Sequence, residues 1–273
     1  MLARYHFENE LGTGACGAVF RGREQGTGRV VAVKLLADSS ADNGDAACAH
    51  ACDERSRAPA VAHLAHPNIS ACYEVGWHGC LRYAVMELVE GTDLRLHTAA
   101  PNLLPLAQVL FVVASVADAL DHAHACGVIH GDVKPANILF DAVSNSVKLA
   151  DFPVQGTGGG ASPGTPAYLS PERLCGDAPS AASDQFALGV TLYRLACGHP
   201  PFGGRSWPEV AHRVGHAPHA DVRKHAGTLP AALARVIDRS LAKHPGDRFP
   251  SAGALSRALR QAQPHGALSP SAL

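Results

Sequence analysis

The chain has 273 residues, 47% of them hydrophobic and 17% charged, a balance that allows one large domain or two lobes and excludes global disorder. It carries 23 basic and 24 acidic residues, a formal net charge of −1 and no like-charge run, so electrostatics give no support to a nucleic-acid or membrane-surface role. The opening MLARYHFENELGTG has no apolar core of signal-peptide length. No uninterrupted apolar run approaches the ~20 residues of a membrane helix. The longest, around Leu103 to Ala119, is broken by Gln108, Ser115 and Asp118, so a soluble, cytoplasmic protein is expected.

In chain order, Tyr5 to Leu36 alternates and is punctuated by glycine, which predicts strands with a Gly-rich turn before VVAVKLL. An Ala-rich stretch from Asp45 to Leu64 has helical character, interrupted by Pro59. HPNISACYEVG and LRYAVMELVEG predict two further strands. From Leu106 the period becomes helical through Leu110, Val113, Ala117, Leu120 and His124, with Gly127 placed for a left-handed cap. Short β-like segments follow at Val128 to His130, Asn137 to Phe140 and Val147 to Ala150. A Gly/Ser/Pro-rich loop spans Gln155 to Pro166. Three helical patterns complete the chain: one capped by Ser183 and running through Leu188, Leu192 and Leu195, one at Leu233 to Leu241, one at Ala254 to Leu259. The expected layout is a strand-rich lobe over residues 5–90, a mainly helical lobe over 91–262 and a disordered tail over 263–273.

Four segments carry chemistry. LGTGACGAV holds Gly12, Gly14 and Gly17 in G-x-G-x-x-G spacing. A dinucleotide fold uses the same string, but there a helix follows, whereas AVFRGRE alternates like a second strand. The loop therefore reads as a hairpin whose backbone N–H groups could approach phosphate oxygens, or as a plain Gly-rich hairpin. Lys34 lies inside the apolar strand VVAVKLL, where an ammonium either snorkels to water or has a fixed anionic partner. IHGDVKPANILF places Asp132, Lys134 and Asn137 together. They suit a proton acceptor, a cation for a transferring phosphate and an oxygen ligand for a hard metal ion. In VKLADF, Asp151 follows a short strand and offers the same ion a carboxylate.

The ordered set GTGACGAV, VAVK, HPNI, HGDVKPAN, DF, GTPAYLSPE, SDQFALGVTLY and DRF, covering about Tyr5 to Gln261, resembles a eukaryotic-type serine/threonine protein kinase of the kind also found in bacteria. The resemblance implies an α+β, bilobal protein-kinase fold, with a β-rich N-lobe carrying one main helix and a mainly α-helical C-lobe. It implies ATP with magnesium or manganese as cofactors, and protein substrates phosphorylated on Ser/Thr. Lys34 then resembles the lysine that grips the α/β-phosphates, Asp132 the catalytic base and Lys134 the γ-phosphate contact. Asn137 and Asp151 resemble the metal ligands. Leu11, Gly12, Gly14, Gly17, Val19 and Ala32 fall at nucleotide-lining positions. Met86, Glu87 and Val89 match the adenine-binding hinge, and Asp93 a ribose contact. Glu172 and Arg248 resemble a structural ion pair, and Asp184 the residue that anchors the catalytic-loop backbone.

Three departures bear on activity. Gly131 replaces the arginine of H-R-D, so an activation-loop phosphate lacks its usual charge partner. Pro153 replaces the glycine of D-F-G and stiffens that hinge. The helix glutamate expected opposite Lys34 is displaced: Arg57 occupies its place and Glu54 lies one turn away. The reading adopted is an active Ser/Thr kinase without the arginine switch. The alternatives are a pseudokinase acting as a nucleotide-binding or scaffolding module, and, against the peptide-docking character of GTPAYLSPE, a small-molecule kinase. Cys16 at the tip of the glycine hairpin could be a redox-sensitive thiol or simply a small side chain. Cys48, His50 and Cys52 lack the second ligand cluster that zinc requires, and the sixteen histidines show no His-Glu-x-x-His spacing.

Overall fold

A computed structural model describes residues 2–14, 17–36, 60–79, 81–154 and 166–263. Glu54, Arg57, Pro59, Cys16, Cys48, His50, Cys52, Thr165 and the expected tail from residue 264 onward lie outside them. So does most of the Ala-rich stretch, of which the 3₁₀ turn Ala60–His63 is described. The chain forms two units: one holds the residues up to Val89 together with Pro153 and Val154, the other begins at Glu90.

The first unit is a five-stranded antiparallel sheet built from β1 (Tyr5–Gly14), β2 (Gly17–Glu24), β3 (Val30–Leu36), β4 (Cys72–His78) and β5 (Leu81–Glu87), in the order β1-β2-β3-β5-β4. β-branched and aromatic residues fill one face: Tyr5, Val31, Val33, Tyr83 and Val85 form its core with Leu2. The Tyr5 and Tyr83 hydroxyls donate to the two oxygens of Glu74 at 2.8 and 2.7 Å. Burial and that carboxylate push the Tyr5 phenol up to about 12. A Cβ at Gly76 would meet the Tyr83 hydroxyl at 2.6 Å, so only glycine lets the Tyr83 ring reach Glu74. β4 starts at Cys72; in the preceding HPNIS of the predicted strand, Pro67 and Asn68 form a turn and Ile69 makes an isolated β-bridge.

The second unit is mainly helical. Its axis is α1 (Leu106–Ala125), followed by Gly127 at φ +75°, a left-handed conformation that glycine adopts without strain. By length and composition this helix could cross a membrane, but 61% of its apolar window is buried in the unit, as in a core helix of a soluble protein. A small sheet of β6 (Thr92–Asp93), β7 (Ile138–Asp141) and β8 (Ser146–Leu149) flanks the functional loop. The helices α2 (Pro171–Leu174), α3 (Ala181–Cys197), α4 (Trp207–His216), α5 (Ala231–Ser240) and α6 (Ala252–Gln261) complete it. α6 packs on α1 and α5 on α3. Gly189 lets α3 approach Ser240, whose Cβ would lie 2.7 Å from any side chain there.

Two further sequence expectations are corrected. Val128 to His130 is not a strand; the His130 N–H is taken by the Asp184 carboxylate at 2.9 Å, so no ladder forms. Ser183 is not the cap of α3. Ser180 is, and its Oγ accepts from the Ser183 N–H at 3.1 Å while the Ser183 Oγ accepts from the Ser180 N–H at 2.9 Å, a reciprocal capping box. Helix α4 has no counterpart in the sequence reading, because a single residue, Val214, is buried along it and the apolar signal is thin.

Candidate active site

The second unit assembles the residues of IHGDVKPANILF around one anchor. Asp184, in the first turn of α3 and 1% exposed, accepts from His130 N at 2.9 Å and from Gly131 N at 2.8 Å. It also meets His124 Nε2 at 2.8 Å. His130 is fixed in turn. Its Nδ1 accepts from the Asp132 N–H at 3.2 Å, so Nε2 carries the proton and donates to the Ala150 carbonyl at 2.9 Å. The ring packs edge-on against Phe152, centroids 4.6 Å apart. One buried carboxylate thus sets the backbone that presents Asp132.

Gly131 has φ +77°, the left-handed region, and a Cβ there would lie 3.4 Å from Pro179 Cβ. Glycine relieves the strain an arginine would carry at this point. The Asp132 carboxylate meets Lys134 Nζ at 2.5 Å, with both side chains 22% exposed. Asn137 is 7% exposed, and its Nδ2 donates to the Asp132 carbonyl at 2.8 Å, which turns Oδ1 away from that bond as a potential ligand. Its backbone carbonyl accepts from Ala150 N at 2.9 Å, bringing the end of β8 beside the loop. Asp151 follows with φ +68°, a conformation aspartate tolerates better than most residues. A small cavity beside Asp132 is walled by Gly131, Tyr168, Ser170 and Arg173.

Asp93 is engaged internally: Arg95 Nε and Nη2 each donate to it at 2.8 Å, and the Arg95 N–H at 2.9 Å. The Arg95 hydrogen bonds hold its carboxyl below the usual range. Its first partner is therefore Arg95, through which it caps the turn Leu94–His97, a role that sequence reading missed.

Glu172 and Arg248 form the buried ion pair that the resemblance implied, at 2.6 and 2.8 Å in fork geometry. Arg248 is 1% exposed and also donates to the carbonyls of Ala182, Ala242 and Lys243, so all five N–H donors are used. Burial pushes the Glu172 carboxyl up, but the Arg248 hydrogen bonds and charge outweigh it and the net shift is downward.

The first unit carries the other candidates. Lys34 lies on β3 opposite Val19 and Ala84, and is 8% exposed. Ala32 is buried beside Met86 of β5. Val19 pairs with Gly12, and Gly14 with Gly17 at the end of the β1–β2 hairpin. Gly17 has φ +123°. Among the described residues a Cβ at Gly12 would meet nothing within 4 Å and its φ is ordinary, so none of them requires glycine there. A register shift beside Leu11 bends β1 just before this point. The Glu87 side chain accepts from Ala71 N at 3.0 Å, tying down the strand end that leads to Val89. The Arg82 guanidinium, 5.7 Å over the Trp77 ring, donates to the Val154 carbonyl, so the chain after Pro153 is fastened to β5.

Within the second unit the donor set suits a metal-bound phosphate: hard oxygens from Asn137 and Asp151 and a cation from Lys134. The protein kinase domain family matches residues 5–259. Serine/threonine-protein kinase PkaA of Streptomyces coelicolor is 35% identical over 94% of this chain and 50% of its own length. Serine/threonine-protein kinase PknB of Mycobacterium leprae is 38% identical over 91% of this chain and 41% of its own length. The crystal structure of the PknI kinase domain of Mycobacterium tuberculosis superposes with a TM-score of 0.76 at 30% identity, over 95% of this chain and 96% of that one. The chain thus spans half or less of these curated relatives. It belongs to the protein kinase family, as a bacterial-type serine/threonine kinase domain with the bilobal α+β kinase fold.

Proposed function

We propose that the domain transfers the γ-phosphate of ATP to serine or threonine hydroxyls of protein substrates, and does so without an activation-loop arginine switch. The observation that carries this reading is the Asp132–Lys134–Asn137 cluster: acid, cation and amide are held within hydrogen-bond distance on a loop anchored by Asp184. In this scheme Asp132 accepts the proton of the attacking hydroxyl while Lys134 meets the negative charge of the moving phosphoryl group. Asn137 Oδ1 and the Asp151 carboxylate would hold magnesium or manganese, which neutralises phosphate charge when bound. Lys34 and the glycine hairpin would hold the triphosphate, and Met86 to Val89 the adenine.

Gly131 supports the second half of the proposal. With no side chain and φ +77°, it cannot supply a cation to a phosphorylated loop, yet its N–H still meets Asp184. In this reading the loop at Asp132 relies on its buried carboxylate anchor and needs no phosphate to position it. A pseudokinase reading draws on Pro153, which removes the N–H and the freedom of the usual glycine. One experiment separates the two: melting temperature with and without magnesium-ATP, run beside labelled-phosphate transfer to a generic protein substrate. A thermal shift that Asn137→Ala and Asp151→Asn abolish, together with transfer, is expected. A shift without transfer would establish the pseudokinase, and no shift would remove the nucleotide from the proposal.

A further inference from the structure

Two pairs of histidines stand apart from the candidate site, both in the second unit. On α4, His212 and His216 are both exposed, one helical turn apart, with ring centroids separated by 5.2 Å and planes inclined by 57°. His199 and His225 lie 4.5 Å apart with planes inclined by 33°. The imidazole lone pair that binds a metal ion lies in the ring plane. His199 and His225 come from separate segments, the chain just after α3 and the end of the turn Val222–Lys224, and so share no helix face. Splayed rings on one helix face can converge them on a shared point. Residues four apart share a helix face, and helical zinc motifs draw two histidine ligands from that separation, although the glutamate that follows the first histidine in the motif is Arg213 here.

We propose that His212 and His216 form a chelating site on α4 for a first-row transition-metal ion of the zinc or copper(II) class. Imidazole nitrogen suits these ions, whereas magnesium prefers oxygen, so the site is chemically separate from the pair Asn137 and Asp151. Among the described residues no third His, Cys, Asp or Glu joins the pair, which leaves the remaining positions of a tetrahedral shell to water. Glu209, one turn before His212, is already committed: it accepts from Arg213 Nη2 at 2.6 Å and from Arg205 N at 2.8 Å.

The position gives the site a mechanical consequence. α4 packs against α2 and the turn Pro166–Tyr168, the segment that supplies Tyr168 and Arg173 to the cavity beside Asp132. The last turn of α4 is already held by Lys243, whose Nζ donates to the carbonyls of Val214 at 2.6 Å and Arg213 at 3.1 Å. A metal ion bridging His212 and His216 closes that same turn from the solvent side.

The test is calorimetric titration of zinc chloride alone into the whole chain, with thermal melts in zinc and in magnesium. Sixteen histidines make a control essential, so a His199→Ala/His225→Ala variant is run beside His212→Ala and His216→Ala, single and combined. Loss of a group that merely supports a metal ligand costs about 10–100-fold in affinity, and removal of either histidine ligand is expected to cost no less. The combined α4 variant is expected to lose the zinc-dependent rise in melting temperature, and the control to keep it. All four positions are exposed, and melts without metal check that each variant folds normally. Zinc affinity unchanged in the combined α4 variant, or lost in the control instead, would overturn the proposal.

Discussion

Two carboxylate–cation pairs in the helical unit are built to opposite ends. Glu172–Arg248 is buried, with the arginine side chain 0% and the glutamate 11% exposed, and every guanidinium donor is used. Asp132–Lys134 is half open, with both side chains 22% exposed and a compact ammonium in place of a fork. The first pair has no capacity for a ligand and holds α2 to the start of α3 and to the chain after α5. The second keeps part of its surface toward solvent, where a hydroxyl and a phosphoryl group can arrive. The difference separates what keeps the unit folded from what is offered to chemistry, and mutation should divide the two cleanly.

The sharpest break comes at the closed pair. Glu172→Ala leaves the Arg248 guanidinium buried without its counter-charge, a change that typically costs about 3–5 kcal/mol; urea denaturation measures it. The anchor between the two pairs comes next. Asp184→Asn keeps the shape but points an amide at two backbone donors. The expected cost is about 1–3 kcal/mol, with a matching fall in phosphate transfer as the loop at Asp132 loosens. Gly131→Ala is smaller. An L-residue at φ +77° costs roughly 1–2 kcal/mol, read as a lowered denaturation midpoint with an unchanged slope.

The smallest effect is one of pH. The Glu172 carboxyl titrates below its ordinary value of 4.5 in the folded state, because the Arg248 contribution exceeds the opposing effect of burial. A lowered folded value means the pair's stabilisation is complete above pH 4.5 and is lost as the pH falls below it. The slope of stability against pH in that acid window should flatten in Glu172→Gln.

The sequence made the open pair legible and left much of its support hidden. Asp132, Lys134 and Asn137 sit within one short string, so their chemistry could be read without knowing the fold. Glu172 and Arg248 are 76 residues apart, and only the resemblance joined them. The left-handed backbone at Gly131 was invisible, because substitution by glycine reads first as a lost side chain and only the dihedral reveals relieved strain. Val128 to His130 reads as a strand by propensity, yet the partner of its backbone is a side chain from α3. Asp93 was read through the family's ribose contact, while Arg95, two residues on, already occupies both its oxygens. Helix α4 escaped because Val214 is its single fully buried residue, too little for a periodicity of apolar residues to register.

The central claim is that the half-open pair is the chemical one, and Asp132→Asn tests it most directly. The variant is near-isosteric and keeps the Asp132 carbonyl that Asn137 holds, so its melting temperature should match that of the parent. Loss of a general base should cut labelled-phosphate transfer from magnesium-ATP by about 10²–10⁴-fold. Transfer at the parental rate in a normally folded Asp132→Asn protein would contradict the account.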